Sequence, residues 1–220
     1  MRAGQTSIGL GGRENFLFPL DEMYITQGSY EYTYSHDGCY AMDFVGYGPN
    51  GQIARYPYYA PFTCHLVARW GSTSPMLVWQ SDDPVNFVDG TYGYACIGFV
   101  HDNDVMSFEI GERRIQGQVI GHTGTYGIGT GDHVHIEAKK GTYDGYHQNS
   151  QGVWMLTNST WLYNLMGIND TVIYKDYYVN SQNVRVNYPW ASFPNSHPVT
   201  RERSHFPWVL FARKLRERNM

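Results

Sequence analysis

The sequence predicts an all-β protein built around an antiparallel sheet or a flattened, sandwich-like core. Its 220 residues include 24 glycines and 19 tyrosines, and only 16% are charged. This composition favours turn-rich β structure over helix. No helical period of apolar residues runs through the first 140 residues. Alternating segments between Gly, Pro, Asn and Asp clusters indicate strands instead, as in 66–70, 76–80 and 118–120.

The length fits one domain with an extension. We expect the β domain over residues 1–141, and over 142–220 an extension that packs partly on this core or docks to a partner. The last 20 residues carry six basic and two acidic side chains. Apolar residues between Trp208 and Leu215 recur there at near-helical spacing, which predicts a short amphipathic C-terminal helix. This helix either closes the domain's own core or contacts a partner subunit.

A strand over 130–137 carries the most informative side chains of the chain. His133 and His135 lie two residues apart and alternate with apolar residues, so both imidazoles share one face of the strand. Side chains with this spacing lie roughly 6 to 7 Å apart. One imidazole could then bind a metal while the other handles a proton or a water molecule. The alternative is a pair of half-buried histidines that only make hydrogen bonds.

Further ligand candidates lie upstream of this strand. His36 and Asp43 precede it, and His101 follows the apolar run 94–100. Together with the two strand histidines they supply four imidazoles and one carboxylate, which suits catalytic zinc with three protein ligands and an open position. The three cysteines form no Cys-x-x-Cys motif and are odd in number. A structural zinc finger and a disulfide framework are therefore not expected.

The order of these segments resembles the lysostaphin/LytM-type zinc peptidoglycan endopeptidases. Segment 121–137 contains Gly-Thr-Gly, a short loop, His-Val-His and an acidic residue, as in the family's signature strand. Segment 35–44 resembles the family's first metal motif. Residues 54–68 look like its strand and turn, and 100–102 falls where its middle histidine is expected. The resemblance covers residues 17–141, and it implies a lysostaphin-like metallopeptidase core.

The resemblance also implies roles for five residues. His36, Asp43 and His135 would bind Zn²⁺, while His101 and His133 would be catalytic beside the open coordination position. One of these two would take a proton from water and the other would hold the oxyanion. The implied reaction is hydrolysis of peptide stems or cross-bridges of bacterial peptidoglycan. The alternative is a catalytically silent structural or binding component of a phage tail tip that keeps the peptidase fold.

The sequence departs from the family pattern at two points. His36 and Asp43 are seven residues apart, whereas the family commonly spaces them by four, so the intervening loop must bulge, which Gly38 would allow. Asp37 is the rival ligand, but it would point away from its neighbour in an extended segment. Asp132 stands where the family often has proline. It could orient an imidazole, or it could be a turn residue.

The tyrosines and the remaining histidines are open candidates. Tyrosine rings can stack and form hydrogen bonds, which suits a groove for a sugar-bearing peptide polymer. Tyrosine is also an ordinary strand residue. The tyrosines in question are Tyr24, Tyr30, Tyr32, Tyr34, Tyr40, Tyr47, Tyr56, Tyr58 and Tyr59. His65, His122 or His147 could add to the site, although for His122 we expect a hydrogen bond within its turn.

The sequence also predicts where the protein acts. Its first residues lack the apolar segment of a secretory signal. The sequence also contains no run of about 18 apolar residues, which a membrane-spanning helix would need. An enzyme for an extracellular polymer without an export signal suggests a bacteriophage product. Such a product would be located in the virion tail, with other tail proteins as partners, or in the host cytoplasm before lysis. A net charge of −4 argues against nucleic-acid binding.

Overall fold

The protein is described here by a computed structural model. It describes residues 1–29, 35–48, 50–127 and 131–167, and the backbone of 173–174, 177–179 and 184–186. Within these residues the regular structure is strand, apart from three 3-10 turns, so the predicted all-β, antiparallel core is confirmed. The predicted C-terminal helix lies outside the described residues. The division of the chain at residue 141 stays a prediction.

The strands are short and joined by turns. In chain order they are β1 Glu22–Gln27, β2 Met42–Gly48, β3 Gly51–Ile53, β4 Pro57–Tyr59, β5 Cys64–Trp70, β6 Met76–Ser81, β7 Val85–Asn86, β8 Tyr92–Gly93, β9 Ala95–Val100, β10 Arg113–Arg114, β11 Val119–His122, β12 Val134–Lys140, β13 Tyr146–Gln148, β14 Trp154–Leu156, β15 Ile173–Tyr174, β16 Tyr177–Val179 and β17 Val184–Val186. The 3-10 turns are Leu10–Gly12, Val105–Ser107 and Leu162–Asn164. Among the described residues, no helix has the length and apolar character needed to span a lipid bilayer.

The main sheet has the strand order β10-β5-β6-β9-β12-β2-β1-β15, and β3 also pairs with β2. Its pairs are antiparallel except for the short parallel contact between β1 and β15. Four two-stranded pairs accompany it, formed by β4 with β11, β7 with β8, β13 with β14, and β16 with β17. The centre of the main sheet is therefore β12, which pairs with β9 on one side and with β2 on the other.

One face of the main sheet packs into the main core. Val134, Ile136 and Ala138 of β12 point into it, together with side chains from the other central strands and from the loops that cover them. They include Phe16, Phe18, Leu20, Phe44, Phe62, Leu77, Trp79, Ile97, Phe99, Leu162, Leu165 and Met166. Full burial of each such side chain contributes roughly 1.5–3 kcal/mol, so this face anchors the sheet.

The opposite face is only partly covered. Met76, Val78, Cys96 and Val100 form a smaller cluster there, and Leu156 of the β13–β14 hairpin packs on it. The residues of β12 that face this side are His135, Glu137 and Lys139, because they alternate with the core residues, and His133 lies directly before the strand. The face opposite the main core thus carries the polar groups of the candidate site.

Candidate metal centre

Three ligand atoms meet on this second face. The pairing register places Asp43 of β2 directly opposite His135 of β12, and His36 reaches them from the loop before β2. His36 Nε2 lies 3.2 Å from Asp43 Oδ1 and 3.2 Å from His135 Nδ1, and His135 Nδ1 lies 3.0 Å from Asp43 Oδ1. Ligands about 2.0–2.2 Å from a tetrahedral zinc ion are themselves separated by roughly 3.3–3.6 Å, slightly more than the distances here. The triangle of two nitrogens and one oxygen therefore fits a zinc ion.

The loop between His36 and Asp43 has the turn that its length requires. Gly38 adopts a φ of +71°, and the Cys39 N–H donates to the His36 carbonyl at 3.1 Å. Asp37 points elsewhere, because its carboxylate accepts a hydrogen bond from Gln151 Nε2 at 2.8 Å. The seven-residue spacing thus brings Asp43 to the centre, whereas Asp37 contacts the turn of the β13–β14 hairpin.

Both histidines of the triangle are held through their outer nitrogen. His36 Nδ1–H donates to the Gly28 carbonyl at 2.8 Å, which leaves Nε2 to face the centre. His135 Nε2 lies 3.2 Å from Glu137 Oε1, which leaves Nδ1 to face the centre. Partners on the outer nitrogen fix the tautomer and the ring orientation of a metal-binding histidine. The two imidazoles therefore present the nitrogens that a metal needs.

The charges of the centre favour a cation. Burial raises the pKa of Asp43, but the opposing charges and hydrogen bonds of His36 and His135 outweigh it and hold this pKa well below its usual range. Burial lowers the pKa of His135, but hydrogen bonds to Asp43 and Glu137 outweigh it and raise this pKa to about 10. Without a metal the imidazole is thus a cation between two carboxylates, so a positive charge at this position is compensated.

A second pair of imidazoles lies beside the triangle. The rings of His101 and His133 stack with centroids 4.3 Å apart, and the His101 ring lies 6.3 Å from that of His135. His133 Nε2 is 3.8 Å from Asp43 Oδ2. The structure therefore brings all five predicted residues into one cluster, with three around a common point and two next to it.

The second pair is held by backbone carbonyls. His101 Nδ1–H donates to the Tyr126 carbonyl at 2.9 Å, and His133 Nδ1–H donates to the Gly131 carbonyl at 2.7 Å. Each ring is thus left with Nε2 for chemistry. Burial, and next the charge of His133, lower the pKa of His101 to about 4, so His101 is neutral at pH 7. Its φ of +81° is also unusual for a side chain with a Cβ, which indicates a position held by its surroundings.

The loop around His101 is anchored from below. Asp102 is buried and accepts hydrogen bonds from the His122 backbone N–H at 2.8 Å and from the Tyr58 hydroxyl at 3.3 Å. Gly124 crosses so closely that a Cβ on it would lie 2.3 Å from the His101 carbonyl oxygen. Gly124 is therefore required by the close approach of two backbones.

Asp132 takes the second of its two expected roles. Its carboxylate accepts the Arg55 N–H at 3.1 Å and the Thr123 hydroxyl, and its carbonyl accepts Gln52 Nε2 at 2.7 Å. These bonds tie the turn after β3 to the start of β12. Asp132 is thus a turn residue that anchors the approach to His133.

The other candidates lie apart from this cluster. His65 on β5 pairs with Asp82 at 2.7 Å, and His147 is exposed on β13. The backbone N–H of His122 bonds to the carboxylate of Asp102. Tyr58 and Tyr59 are buried, so they do not line a groove. Tyr30, Tyr32 and Tyr34 lie outside the described residues.

The sequence reasoning missed the contacts behind His135. Cys39, His135 and Glu137 also bring three ligand atoms within 4.8 Å of one another. Burial, and next the charge of Glu137, raise the pKa of the Cys39 thiol far above its usual range. The sequence carried a signal for Glu137, because a residue two positions after His135 on a strand shares its face.

No protein-family profile matches the chain. A sequence relative is Morphogenesis protein 1 of Bacillus phage B103, which is 38% identical over 142 residues, or 64% of this chain and 37% of the relative. The chain thus spans about a third of the length of this relative. The similarity links the chain to a phage protein.

Solved peptidase structures overlap with the chain at low scores. A zinc-containing peptidase from Vibrio cholerae has 18% identity, covers 60% of this chain and 42% of its own, and gives a TM-score of 0.41. The lysostaphin catalytic domain from Staphylococcus simulans is 17% identical. The overlap covers 61% of this chain and 86% of that domain, with a TM-score of 0.38. The M23 metalloprotease pseudoalterin is 15% identical. The overlap covers 85% of this chain and 98% of pseudoalterin, with a TM-score of 0.40. Overlaps at this level carry no functional argument of their own. The chain is thus similar in sequence to a phage morphogenesis protein, and the solved structures that overlap with it include the lysostaphin type that its motifs resemble.

Proposed function

We propose that the chain is a zinc-dependent endopeptidase, encoded by a bacteriophage, that hydrolyses peptide stems or cross-bridges of bacterial peptidoglycan. The observation that carries this proposal is the triangle of His36, Asp43 and His135 with His101 and His133 stacked beside it. A buried site with three ligands and two adjacent proton-handling groups is the arrangement of a metallohydrolase. The motif order of the lysostaphin/LytM-type enzymes supports peptidoglycan as the substrate.

The triangle would hold the zinc ion. Its two nitrogens and one carboxylate oxygen are ligands that zinc prefers, and they leave room for a fourth ligand. When bound, zinc supplies Lewis acidity, which polarises a peptide carbonyl and makes water a stronger acid near neutral pH. Asp43 and the fixed imidazoles would keep this charge in place.

The stacked pair would move the protons. His101 is neutral at pH 7, and its Nδ1–H is committed to a carbonyl, so its Nε2 lone pair is the acceptor for the proton of an attacking water. His133 lies next to the triangle, with its Nε2 3.8 Å from Asp43 Oδ2 and its Nδ1 2.7 Å from the Gly131 carbonyl, and it would hydrogen-bond the developing oxyanion.

The phage relative supports a role in the infection cycle. We place the protein in the virion tail, where it would open the cell wall for entry, or in the host cytoplasm before lysis. In the tail, the extension over 142–220 would contact other tail proteins. The name of the relative, Morphogenesis protein 1, also favours a second candidate function, a structural component of the tail tip without turnover.

One experiment separates these functions. The zinc-loaded chain is incubated with purified cell-wall sacculi, and released amino groups and reducing sugars are measured in parallel. We expect new amino groups, their loss after chelation and their return with zinc. Reducing sugars without amino groups would indicate a glycosidase. Bound zinc without release from walls of several peptide types would favour the structural component.

A further inference from the structure

Glu137 is a buried carboxylate that contacts one residue of the candidate metal centre. It is 1% exposed, and its Oε1 lies 3.2 Å from His135 Nε2. Its Oε2 accepts the Leu156 backbone N–H at 2.8 Å, and the Cys39 thiol makes a further hydrogen bond to it. A buried charge is tolerated only when it is compensated in this way. The proposed catalytic steps use none of these contacts.

We propose that Glu137 is a positioning residue that holds His135 in the orientation and tautomer required of a zinc ligand. The inference rests on the proposed metal site. An ionised carboxylate only accepts hydrogen bonds, so the nitrogen that faces it must carry a proton. With the proton on Nε2, the lone pair of His135 is on Nδ1, the atom that faces His36 and Asp43.

The support for Glu137 comes from a distant part of the chain. Leu156 belongs to β14, and its N–H fixes the second carboxylate oxygen so that the first stays aimed at His135. The β13–β14 hairpin is thereby tied to Glu137, which is 1% exposed. A carboxylate held this way keeps the imidazole plane fixed and strengthens the ligand.

The second triad of Cys39, His135 and Glu137 has a simpler explanation in this arrangement. A metal there would use His135 Nε2 while the first centre uses Nδ1, so the imidazole would have to lose both protons. The 3.2 Å distance between Nε2 and Oε1 is that of a hydrogen bond, and the Cys39 thiol is a donor to the same carboxylate. The triad is therefore the support of the first centre rather than a second centre.

The substitution Glu137→Gln tests the idea without changing the size of the side chain. If the amide oxygen accepts the Leu156 N–H, the amide nitrogen donates to His135 Nε2 and the imidazole proton must move to Nδ1. If the amide is reversed, two N–H donors face each other at Leu156. Either arrangement removes the lone pair on Nδ1 or the fixed ring plane. Loss of such a partner typically weakens metal binding by about 10–100-fold.

A matched control lies two residues further along the same face of β12. Lys139 is also buried and pairs with Asp144 at 2.5 Å, but it does not contact the metal triangle. We would measure the zinc affinity of the full chain by competition with a chelator for the wild type, Glu137→Gln and Lys139→Gln, and the Tm of each. We expect a loss of zinc affinity of about 10–100-fold in Glu137→Gln and an unchanged affinity in Lys139→Gln.

A spectroscopic measurement adds a readout that a structural role would not change. In the zinc-loaded wild type, the His135 Nε2–H should give a downfield, slowly exchanging proton resonance, because it is buried and bonded to a carboxylate. The resonance should disappear or shift in Glu137→Gln and persist in Lys139→Gln. Its persistence in Glu137→Gln would overturn the inference.

The outcomes separate this inference from the proposed function. Unchanged zinc affinity in Glu137→Gln with a lower Tm would show a merely structural carboxylate and overturn the inference alone. A second zinc ion per chain that is lost in both Glu137→Gln and Cys39→Ser, with the first retained, would overturn it as well. A wild-type chain that binds no zinc would overturn the proposed function and the inference together. Zinc binding that depends on Glu137, without wall hydrolysis, would support the inference and contradict the proposed activity.

Discussion

His135 and His101 lie 6.3 Å apart between ring centroids, yet the protein shifts their pKa values in opposite directions, to about 10 and about 4. His135 lies between the carboxylates of Asp43 and Glu137, which stabilise its charged form. His101 is partly buried next to the imidazole of His133, and its imidazole hydrogen-bonds to the Tyr126 carbonyl. The imidazole of His135 thus carries a positive charge, whereas the imidazole of His101 is a neutral proton acceptor.

The backbone positions of the two histidines also differ, since one is fixed in a sheet and the other follows the end of a strand. His135 sits on a central strand that is paired on both sides, which suits a ligand that must not move. His101 follows the end of β9 with a φ of +81°, and its carbonyl also accepts the Tyr126 N–H at 3.1 Å. A strained position held by its neighbours is typical of reacting groups. If His135 is a ligand and His101 a reacting group, substitutions of the two residues should affect different steps.

The largest effect is expected for His135→Ala. This change removes one corner of the ligand triangle and leaves Asp43 and Glu137 as buried carboxylates without their shared partner. We expect the loss of stoichiometric zinc, measured by elemental analysis, and of wall hydrolysis. His65→Ala is the control, because His65 also pairs with a carboxylate but lies on β5. Retention of zinc by His135→Ala would end the assignment of this residue as a ligand.

His101→Ala should separate chemistry from metal binding. Its ring does not belong to the triangle, so zinc affinity should change by less than a few fold, whereas the rate of hydrolysis should fall by about 10²–10⁴-fold. His122→Ala serves as the control, because His122 contributes its backbone N–H to the same loop. Equal losses of zinc in His101→Ala and His135→Ala would contradict the comparison.

Zinc affinity should rise with pH. Zinc must displace a proton from His135, whose pKa without metal is about 10. Between pH 7 and about 9 the affinity should therefore increase by about tenfold per pH unit, as measured by chelator competition. A pH-independent affinity over this range would show that His135 is already neutral, and would remove its contrast with His101.

The metal-free protein should show the opposite trend in stability. The pKa of His135 is raised in the folded state, so its contribution is fully present below the ordinary value of 6.5 and is lost as the pH rises through about 10. The Tm without zinc should therefore fall toward pH 10, while the increase in Tm caused by zinc should grow. Thermal unfolding with and without zinc, from pH 6 to 9.5, measures both trends.

The sequence was sufficient for features that depend on local periodicity. Alternation along 133–137 correctly placed the two histidines on one face, away from the core. The turn at Gly38 was also accessible, because a seven-residue spacing between His36 and Asp43 demands a bulge. The five-residue cluster followed from motif order rather than from any single spacing.

Features that depend on long-range contacts were not accessible. The alternation also places Glu137 beside His135, but its role depends on the N–H of Leu156, which folds back from 19 residues later. Gly28 and Tyr126 contribute only carbonyl oxygens, which no residue type encodes. The sequence left open whether the early tyrosines line a groove or are ordinary strand residues, and only the packing shows that Tyr58 and Tyr59 are buried.

We expect the smallest effect from a substitution of Asp132. The sequence left open whether this residue orients an imidazole or is a turn residue. The choice between them depends on the Arg55 N–H, 77 residues away, and on the Thr123 hydroxyl. We expect Asp132→Ala to lower the free energy of unfolding by about 1–2 kcal/mol, or the Tm by about 2–6 °C, with zinc affinity unchanged and hydrolysis reduced by less than about tenfold. Asp104→Ala is the control, because it removes the exposed ion pair of the same Arg55 and should cost little. A fall in zinc affinity in Asp132→Ala, without a fall in Tm, would instead make Asp132 an orienting partner of the catalytic histidines, since a turn anchor acts through stability.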